Sequence, residues 1–171
     1  MSATAEAVDS LYGNFGESAA EQAKREFLTF RLGAETYGID ILQVQEIREI
    51  ELVTRIPHVA RFVRGVINLR GAIVPVVDLG LMFGFPEPIA LEKASAIVLN
   101  TDRRLVGLVV SSVSDVVGLT DAEILPPPEL GSRAVGAAIS GIGTRGGEGE
   151  GASVLLLDVD HLIHRIREDR A

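Results

Sequence analysis

The chain contains no cysteine and no tryptophan, and only 5% of its 171 residues are aromatic. Without cysteine there is no disulfide framework and no thiolate chemistry, which fits a reducing compartment. Long apolar runs are missing as well: the run at 71–77 is far too short to cross a bilayer, and no basic segment followed by an apolar core stands at the N-terminus. We therefore expect a cytoplasmic protein that does not insert into the membrane.

Positive charge is also scarce. Sixteen Lys and Arg residues stand against 24 Asp and Glu residues, which gives a formal net charge of -8. Nucleic-acid binding draws most of its affinity from clustered positive charge, so no nucleic-acid partner is expected, and an anionic membrane surface is disfavoured for the same reason. The 47% of hydrophobic residues is enough for a substantial core.

The first 25 residues are mostly Ala, Glu, Ser and Gly, a composition that cannot bury enough apolar surface to order itself. We predict a disordered N-terminal tail over 1–25, with a short frayed helix at 19–25 as the alternative. After the tail, apolar runs separated by turn residues predict β-strands. The elements predicted in the first half are strands at 27–32, 36–41, 65–71 and 72–78, a tight corner near 42–43, and one or two helical turns at 59–64.

Three positions in the first half carry local signals for secondary structure, and the first of them is ambiguous. The segment 44–50 is too short for its apolar period to distinguish a strand, which would put Val44 and Glu46 on one face, from a helix. Pro75 cannot donate a hydrogen bond to a β-ladder, so we expect it at an edge or a bulge. Asp78 is well placed to cap a short helix that ends near Phe83.

The second half of the chain repeats the first. Gly38 and Val44 recur 69 positions later as Gly107 and Val113. Further pairs are Glu46 with Asp115, Pro57 with Pro126, Arg70-Gly71 with Arg145-Gly146, and 75–78 with 155–158. The offset grows toward the C-terminus, as loop insertions produce, and the extra residues fall in a Gly/Glu loop at 146–151.

Two copies of a five-strand unit in so short a chain predict a mainly β fold of two five-stranded SH3-like β-barrel subdomains, since closure removes exposed edges. We place the first subdomain at about 26–88 and the second at about 89–158. A C-terminal helix at about 158–168, with apolar residues at helical spacing, is expected to pack on the barrels. The alternative is one sandwich of eight to ten strands.

Signals for chemistry are weak. The glycine pattern of 141–146 would need a following helix to hold a pyrophosphate, but more Gly and Glu follow, so we interpret it as a flexible hairpin loop. His161 and His164 lie three apart on the last helix without a third or fourth ligand. The carboxylates near Glu46 show no pairing typical of hydrolases, and no serine stands in a nucleophile elbow. We expect no catalysis, no metal and no cofactor.

The sequence closely resembles the CheW family over essentially everything after the tail, about 26–171. The runs that carry the resemblance are FLTFRLG at 27–33, YGIDI at 37–41, VQEI at 44–47, GVINLRGAIVPVVD at 65–78, VGLVV at 106–110, VSDV at 113–116 and LLLD at 155–158. The resemblance implies the two-barrel architecture. It also implies a non-catalytic scaffold of two-component signal transduction that couples methyl-accepting chemoreceptors to the histidine kinase CheA.

Two protein partners follow from the resemblance: the regulatory domain of CheA, itself built like CheW, and the cytoplasmic tip of the receptors. Because receptor tips are helical coiled coils, a groove between the barrels is the natural seat for an amphipathic helix. The protein would then be cytoplasmic and associated with membrane-bound receptor arrays. An adaptor of a non-flagellar chemosensory pathway, for surface motility or second-messenger output, is the alternative.

The resemblance assigns partner binding to Val44, Glu46, Asn68, Arg70 and Val116. Arg70, with Asn68 in the Asn-Leu-Arg-Gly turn, offers a rigid fork for a carboxylate, and Glu46 offers a counter-charge, which the two could supply to each other. Val116 would give apolar contact area in the second barrel. The alternative for Arg70 is a structural role in which it holds the turn by bonding backbone carbonyls, and the alternative for Val44 is a plain core residue.

Overall fold

A computed structural model describes residues 23–101, 104–127, 138–144 and 153–168. Within these residues the structure gives bounds for two α-helices, α1 (Leu79–Met82) and α2 (Val159–Glu168), and for eleven strands. The strands are β1 Arg25–Leu32, β2 Glu35–Asp40, β3 Val44–Glu49, β4 Val63–Leu69, β5 Ala72–Asp78, β6 Ser95–Thr101, β7 Arg104–Val110, β8 Ser112–Leu119, β9 Ile124–Leu125, β10 Ile139–Thr144 and β11 Ser153–Leu157. Short 3-10 turns occupy Ile41–Gln43, Leu91–Lys93 and Asp121–Glu123. The predicted mainly β fold is confirmed.

The strands form two sheets that exchange hairpins. One sheet has the order β8-β1-β2-β11-β10-β9, and the other has the order β3-β6-β7-β5-β4. The first hairpin of each sequence repeat therefore lies in the sheet built from the remainder of the other repeat. The predicted subdomain boundary near residue 88 separates the two sequence repeats, but each sheet contains strands from both sides of it. The subdomain limits of about 26–88 and 89–158 stay a prediction.

The repeated glycines mark the places where the exchanged hairpins join. Gly38 of β2 pairs in parallel with Leu156 of β11, and Gly107 of β7 pairs in parallel with Val76 of β5. A Cβ at Gly38 would lie 2.9 Å from the Cγ1 of Val154, and one at Gly107 would lie 3.2 Å from the Cγ1 of Val76. Glycine is favoured at both positions because a side chain would press against a valine of the neighbouring strand, more severely at Gly38 than at Gly107.

The largest apolar cluster lies between the sheets. It includes Phe30 and Ile39 of one sheet, Leu99 and Leu108 of the other, and Leu162 of α2, all with no exposed surface. The packing of α2 against this core confirms the predicted C-terminal helix, whose first turn is capped where the Asp158 carboxylate accepts from the backbone N–H of His161. Smaller clusters of buried residues lie within each sheet.

Several local predictions are decided by this structure. The open segment at 44–50 is a strand, β3, and the 3-10 turn before it is the predicted corner. The helical turns predicted at 59–64 are wrong: bends and a turn lead into β4, which already begins at Val63. Local apolar spacing suggested a helix there, but pairing with β5 extends the strand instead. The irregularity of β4 lies between Val63 and Gly65, opposite the two residues of β5 that follow Pro75. Pairing of β5 with β7 also starts only after Pro75.

Asp78 caps α1 as predicted, and it also holds a buried ion pair that the sequence did not signal. Its carboxylate has no exposed surface and accepts a hydrogen bond from Arg64 Nη1 at 2.7 Å. The backbone N–H groups of Leu81 and Ile89 donate to the same carboxylate at 3.0 and 2.9 Å. This one side chain therefore connects β4, α1 and the segment that precedes β6.

Some predictions lie outside the described residues. They are the tail over residues 1–22, the Arg145-Gly146 part of the repeat and the Gly/Glu loop at 146–151. The first four residues of the glycine pattern, 141–144, are described and belong to β10, so the prediction of a loop is wrong for them. Pairing with β11 turns this glycine-rich run into a strand.

Candidate interaction surface

An exposed ion pair joins the two edges of the five-stranded sheet. β3 and β4 are the edge strands of that sheet; Glu46 lies on β3, and Arg70 follows β4. Arg70 Nη1 donates to Glu46 Oε2 at 2.7 Å, and Arg70 Nη2 donates to Glu46 Oε1 at 3.2 Å. This two-pronged geometry is the one that a guanidinium and a carboxylate prefer. The pair bridges the opening between the first and last strands of the sheet.

The turn that carries Arg70 is built by its neighbours. Leu69 pairs with Ala72, so Arg70 and Gly71 are the two central residues of a β-hairpin turn, and both have positive φ, 53° and 90°. Two positive φ angles are characteristic of the type I′ turn, whose twist matches that of paired strands. The Oδ1 of Asn68 accepts from the backbone N–H of Gly71 at 2.9 Å. Asn68 thus holds the turn in place, which leaves the Arg70 side chain to Glu46.

The position of Glu46 depends on an irregularity of β3. Val44 pairs with Leu99 and Glu46 pairs with the adjacent Val98, so β3 has one extra residue, Gln45, at this point. A bulge of this kind bends a strand and redirects its side chains. The Nδ2 of Asn100 donates to the side chain of Gln45 at 3.0 Å, which secures the extra residue against β6.

Charge reinforces the pair. The hydrogen bond from Arg70 is the main reason that the pKa of Glu46 lies below its ordinary value; partial burial opposes this shift, and the charges of Arg70 and Arg48 support it. Arg48 Nη1 lies 3.7 Å from Glu46 Oε1. The same hydrogen bond raises the pKa of Arg70. Both groups are therefore ionised at neutral pH, and the site presents fixed charges to a partner.

Three exposed apolar side chains belong to the same two segments as the pair. Ile73, which pairs with Asn68 across the hairpin, is 64% exposed, and Ile47, next to Glu46, is 45% exposed. Leu42, in the turn before β3, is 89% exposed. Exposed apolar side chains around a defined polar contact are typical of a surface that binds another protein.

The five residues expected to bind partners do not all lie together. Glu46, Asn68 and Arg70 meet at the opening of the five-stranded sheet, with Val44 two residues away on β3. Val44 is partly buried against the large core, as the alternative of a core residue expected. Val116 lies on β8 in the other sheet, where it pairs with Leu28 and is 43% exposed. The idea that Arg70 holds its turn through backbone carbonyls is wrong, since its side chain bonds Glu46 and Asn68 holds the turn.

A groove lies beside this surface, and the sequence analysis expected a groove without naming the residues that line it. It is a cavity of about 580 Å³ between the β4–β5 hairpin, β7 and α2. Its apolar lining comprises Ile56, Val59, Val63, Val66, Ala72, Ile73, Pro75, Leu105, Val106, Ile163 and Ile166. Ile73 belongs both to this groove and to the hairpin that carries Arg70, so the ion pair and the groove are adjacent.

The described residues hold no group of three or more His, Cys, Asp or Glu side chains arranged to bind a metal. His161 and His164 both lie on α2, where the backbone of His161 serves the Asp158 cap. Within the same part of the chain, no helix has the length and apolar character needed to cross a membrane.

The fold and the site define a class: a mainly β scaffold whose distinctive surface, an exposed ion pair beside an apolar groove, suits contact with proteins. A family model, the CheW-like domain, matches residues 26–167. The chain belongs to the CheW family. Its relatives include the Chemotaxis protein CheW of Klebsiella aerogenes, 43% identical over 145 residues and covering 85% of each chain, and Protein FrzA of Myxococcus xanthus, 28% identical over 151 residues, 88% of this chain and 92% of FrzA.

A solved structure supports the same assignment. The scaffolding protein TtCheW from Thermoanaerobacter tengcongensis superposes with a TM-score of 0.70 at 29% identity, covering 79% of this chain and 89% of that one. The identity is high enough for the likeness to concern more than the fold. The predicted family and the predicted role as a chemotaxis scaffold are thereby confirmed.

Proposed function

We propose that this protein is a non-catalytic adaptor that couples methyl-accepting chemoreceptors to the histidine kinase CheA in cytoplasmic signalling arrays. The observation that carries the proposal is the exposed Glu46–Arg70 pair at the opening of the five-stranded sheet, in a chain that belongs to the CheW family. An ion pair of this geometry offers charge, and the exposed Ile47 and Ile73 of the strands that carry it offer apolar area. The 43% identity to a chemotaxis protein, against 28% to FrzA, favours a chemotaxis array over another chemosensory pathway.

The two partners would use different parts of the surface. The regulatory domain of CheA, which resembles CheW, would meet the strand edges and hairpin around Arg70, because similar sheets can pack edge to edge. The receptor tip would place an amphipathic helix in the groove between the β4–β5 hairpin and α2. Val116, on the six-stranded sheet, would belong to a separate receptor contact.

Binding to an isolated CheA regulatory domain is the direct test. Calorimetric titration of the wild-type protein should show saturable binding, and Arg70→Ala should weaken it by about tenfold, since truncating an arginine at the centre of an interface typically costs about 1–2 kcal/mol. Asn68→Ala should produce a similar loss because it frees the turn that positions Arg70. Absence of wild-type binding at hundreds of micromolar, with the fold verified, would refute the proposal.

A matched control separates recognition from folding. Arg25 also forms an exposed ion pair, with Asp40 at 3.6 Å, but on the six-stranded sheet. Arg25→Ala should leave the binding of the kinase domain unchanged. Both arginine variants should keep the circular dichroism spectrum of the wild type, because exposed substitutions of this kind cost little stability. If Arg70→Ala is unfolded, the pair is structural and its assignment to partner binding falls.

Activity of the assembled complex gives a second readout. Receptor-dependent activation of CheA should decrease with Arg70→Ala and with Val44→Ala, while the basal activity of the kinase alone should not change. Equal activation by wild type and both variants would exclude the opening of the five-stranded sheet as the coupling surface.

A further inference from the structure

A second cleft continues the apolar groove. It is a cavity of about 650 Å³ formed by the segment 53–64 together with Leu81, Pro88 and Leu91. Ile56, Val59 and Val63 line this cleft and also line the groove. The two cavities therefore adjoin and share a wall of three apolar side chains.

Every charged side chain that lines the two cavities is basic. Arg55, Arg61 and Arg64 line the cleft, together with His58, and Arg104 and Arg167 line the groove. No Asp or Glu is among the lining residues of either cavity within the described part of the chain. Since the chain carries 24 acidic against 16 basic residues, this concentration of arginine is opposite to the character of the protein as a whole. The local field favours a negatively charged ligand.

Most of these cations have no carboxylate partner among the residues that the structure describes. Arg64 is the exception, since its Nη1 is held by Asp78 at 2.7 Å and also donates to Ile89 O at 2.9 Å. Arg61 Nη2 donates only to the backbone carbonyl of Pro86 at 3.0 Å. Arg55 and Arg104 make no ion pair or side-chain hydrogen bond with residues that the structure describes. Their guanidinium groups are available to an incoming carboxylate.

The backbone of the cleft carries strain at one point. His58, between Arg55 and Arg61, has a φ of 63°, a left-handed conformation that is uncommon for residues other than glycine. Such conformations cost about 1–3 kcal/mol and persist where the surrounding structure enforces them, often in ligand-binding loops. The strained position lies in the same short segment that presents Arg55 and Arg61 to the cleft.

We propose that the groove and the basic cleft form one docking site for an amphipathic helix with an acidic flank. Its apolar face lies in the groove, and its carboxylates pair with Arg55 and Arg61 in the cleft and with Arg104 at the groove. The mixed lining favours such a helix over a free phosphate, which would leave the shared apolar wall unused. This inference rests on the proposed function and specifies the receptor helix that the protein accepts: it must carry Asp or Glu beside its apolar face.

One substitution in each cavity tests whether a single helix uses both. Arg55→Glu changes the cleft and Arg104→Glu changes the groove; both side chains are exposed, so the fold should survive. Arg31→Glu is the matched control, because Arg31 is an exposed arginine on β1 that lines neither cavity. Each full-length variant is titrated calorimetrically with a soluble receptor-tip fragment at about 50 mM and about 500 mM salt, concentrations that bracket strong and weak screening.

Both cavity variants should bind the receptor fragment about tenfold more weakly than wild type at the lower salt, and the difference should shrink at the higher salt, because exposed charge pairs are screened. The control should bind like wild type. If wild type binds and both cavity variants match it, the docking site is wrong while the proposed function stands. If wild type does not bind the fragment, both fall. A third outcome is that wild type binds ATP, that Arg55→Glu abolishes this binding, and that receptor binding stays unchanged. The ligand of the cleft would then be a small anion and not a helix.

Discussion

Asp78 and Asp158 occupy equivalent positions in the two sequence repeats, yet their burial predicts very different energetic roles. Each accepts a hydrogen bond from the third residue after it, Leu81 and His161 respectively, and so caps the helix that follows. Asp158 is exposed and does little else, whereas the Asp78 side chain is fully buried and also binds Arg64 and the backbone of Ile89. Replacing each by alanine compares a cap alone with a cap plus a buried ion pair.

The expected losses follow from these contacts. Loss of a helix cap costs about 1 kcal/mol, which sets the expectation for Asp158→Ala. Removing one partner of a buried pair costs about 3–5 kcal/mol, because the remaining charge stays buried without compensation. Arg64 keeps one-fifth of its side chain exposed and still bonds the carbonyl of Ile89, so we take the lower end of that range. Asp78→Ala should therefore destabilise the protein by about 3 kcal/mol.

Urea unfolding followed by far-ultraviolet circular dichroism measures both losses. With a denaturant slope of about 2 kcal/mol/M, the midpoint should fall by about 1.5 M for Asp78→Ala and by about 0.5 M for Asp158→Ala. The variant Arg64→Met, alone and combined with Asp78→Ala, gives the coupling free energy of the pair, which should exceed about 1 kcal/mol. Equal midpoints for the two aspartate variants, or a coupling near zero, would refute the assignment of a buried ion pair.

Three further predictions concern the sheets, the surface ion pair and the last helix. Gly65→Ala should lower the urea midpoint far more than Gly71→Ala: both positions have positive φ, but only at Gly65 would a Cβ collide with a backbone carbonyl, that of Thr54. Because the folded pKa of Glu46 is lowered, its contribution to stability is complete above the ordinary carboxyl pKa and is lost as pH falls through the lowered value. The difference in melting temperature between wild type and Glu46→Gln should thus be largest near neutral pH and disappear once the pH is well below the lowered pKa of Glu46. Leu162→Ala, at a side chain with no exposed surface, should cost about 2–5 kcal/mol in the same urea assay.

Each of these predictions has an outcome that contradicts it. Similar losses for Gly65→Ala and Gly71→Ala would mean that the bridge between Thr54 and Val66 yields to a methyl group. A Glu46→Gln difference that persists unchanged into acid would show that the carboxylate charge is irrelevant to stability. A loss below about 1 kcal/mol for Leu162→Ala would mean that α2 is an appendage and not part of the core.

Much of the site could be anticipated from the chain because its geometry is local. The turn at Arg70 and Gly71 needs only the hydrogen bond that the Gly71 N–H donates to the side chain of Asn68, three residues away, and the cap of α1 needs only Asp78 and Leu81. Such contacts depend on residue type and short spacing, which a sequence displays directly. The helical turns predicted at 59–64 were wrong for the complementary reason: bends and a turn lead into β4, and the strand begins at Val63 because that residue pairs with β5, a contact that local spacing does not contain.

The cavities could not be anticipated by any local signal. Arg55 and Arg104 are 49 positions apart and line two adjoining cavities that have Ile56, Val59 and Val63 in common. The role of Arg64 could not be predicted either, since nothing in the surrounding sequence indicates that its side chain forms a buried ion pair with Asp78. A single arginine looks the same in sequence whether it is solvated or faces a groove. Only the packing of β4, β7 and α2 brings these side chains to one surface.

The sequence by itself determined the mainly β class, the internal repeat, the turns and caps, and the membership of the CheW family, because strand period, turn chemistry and recurring residues are properties of the chain. The tertiary structure decided which sheet each hairpin joins, how Glu46 reaches Arg70 across the opening of a sheet, and where the basic cleft meets the apolar groove. The physical reason is that pairing and packing between distant segments depend on the free energy of the whole fold. Local patterns in the sequence do not show which distant segments will come into contact.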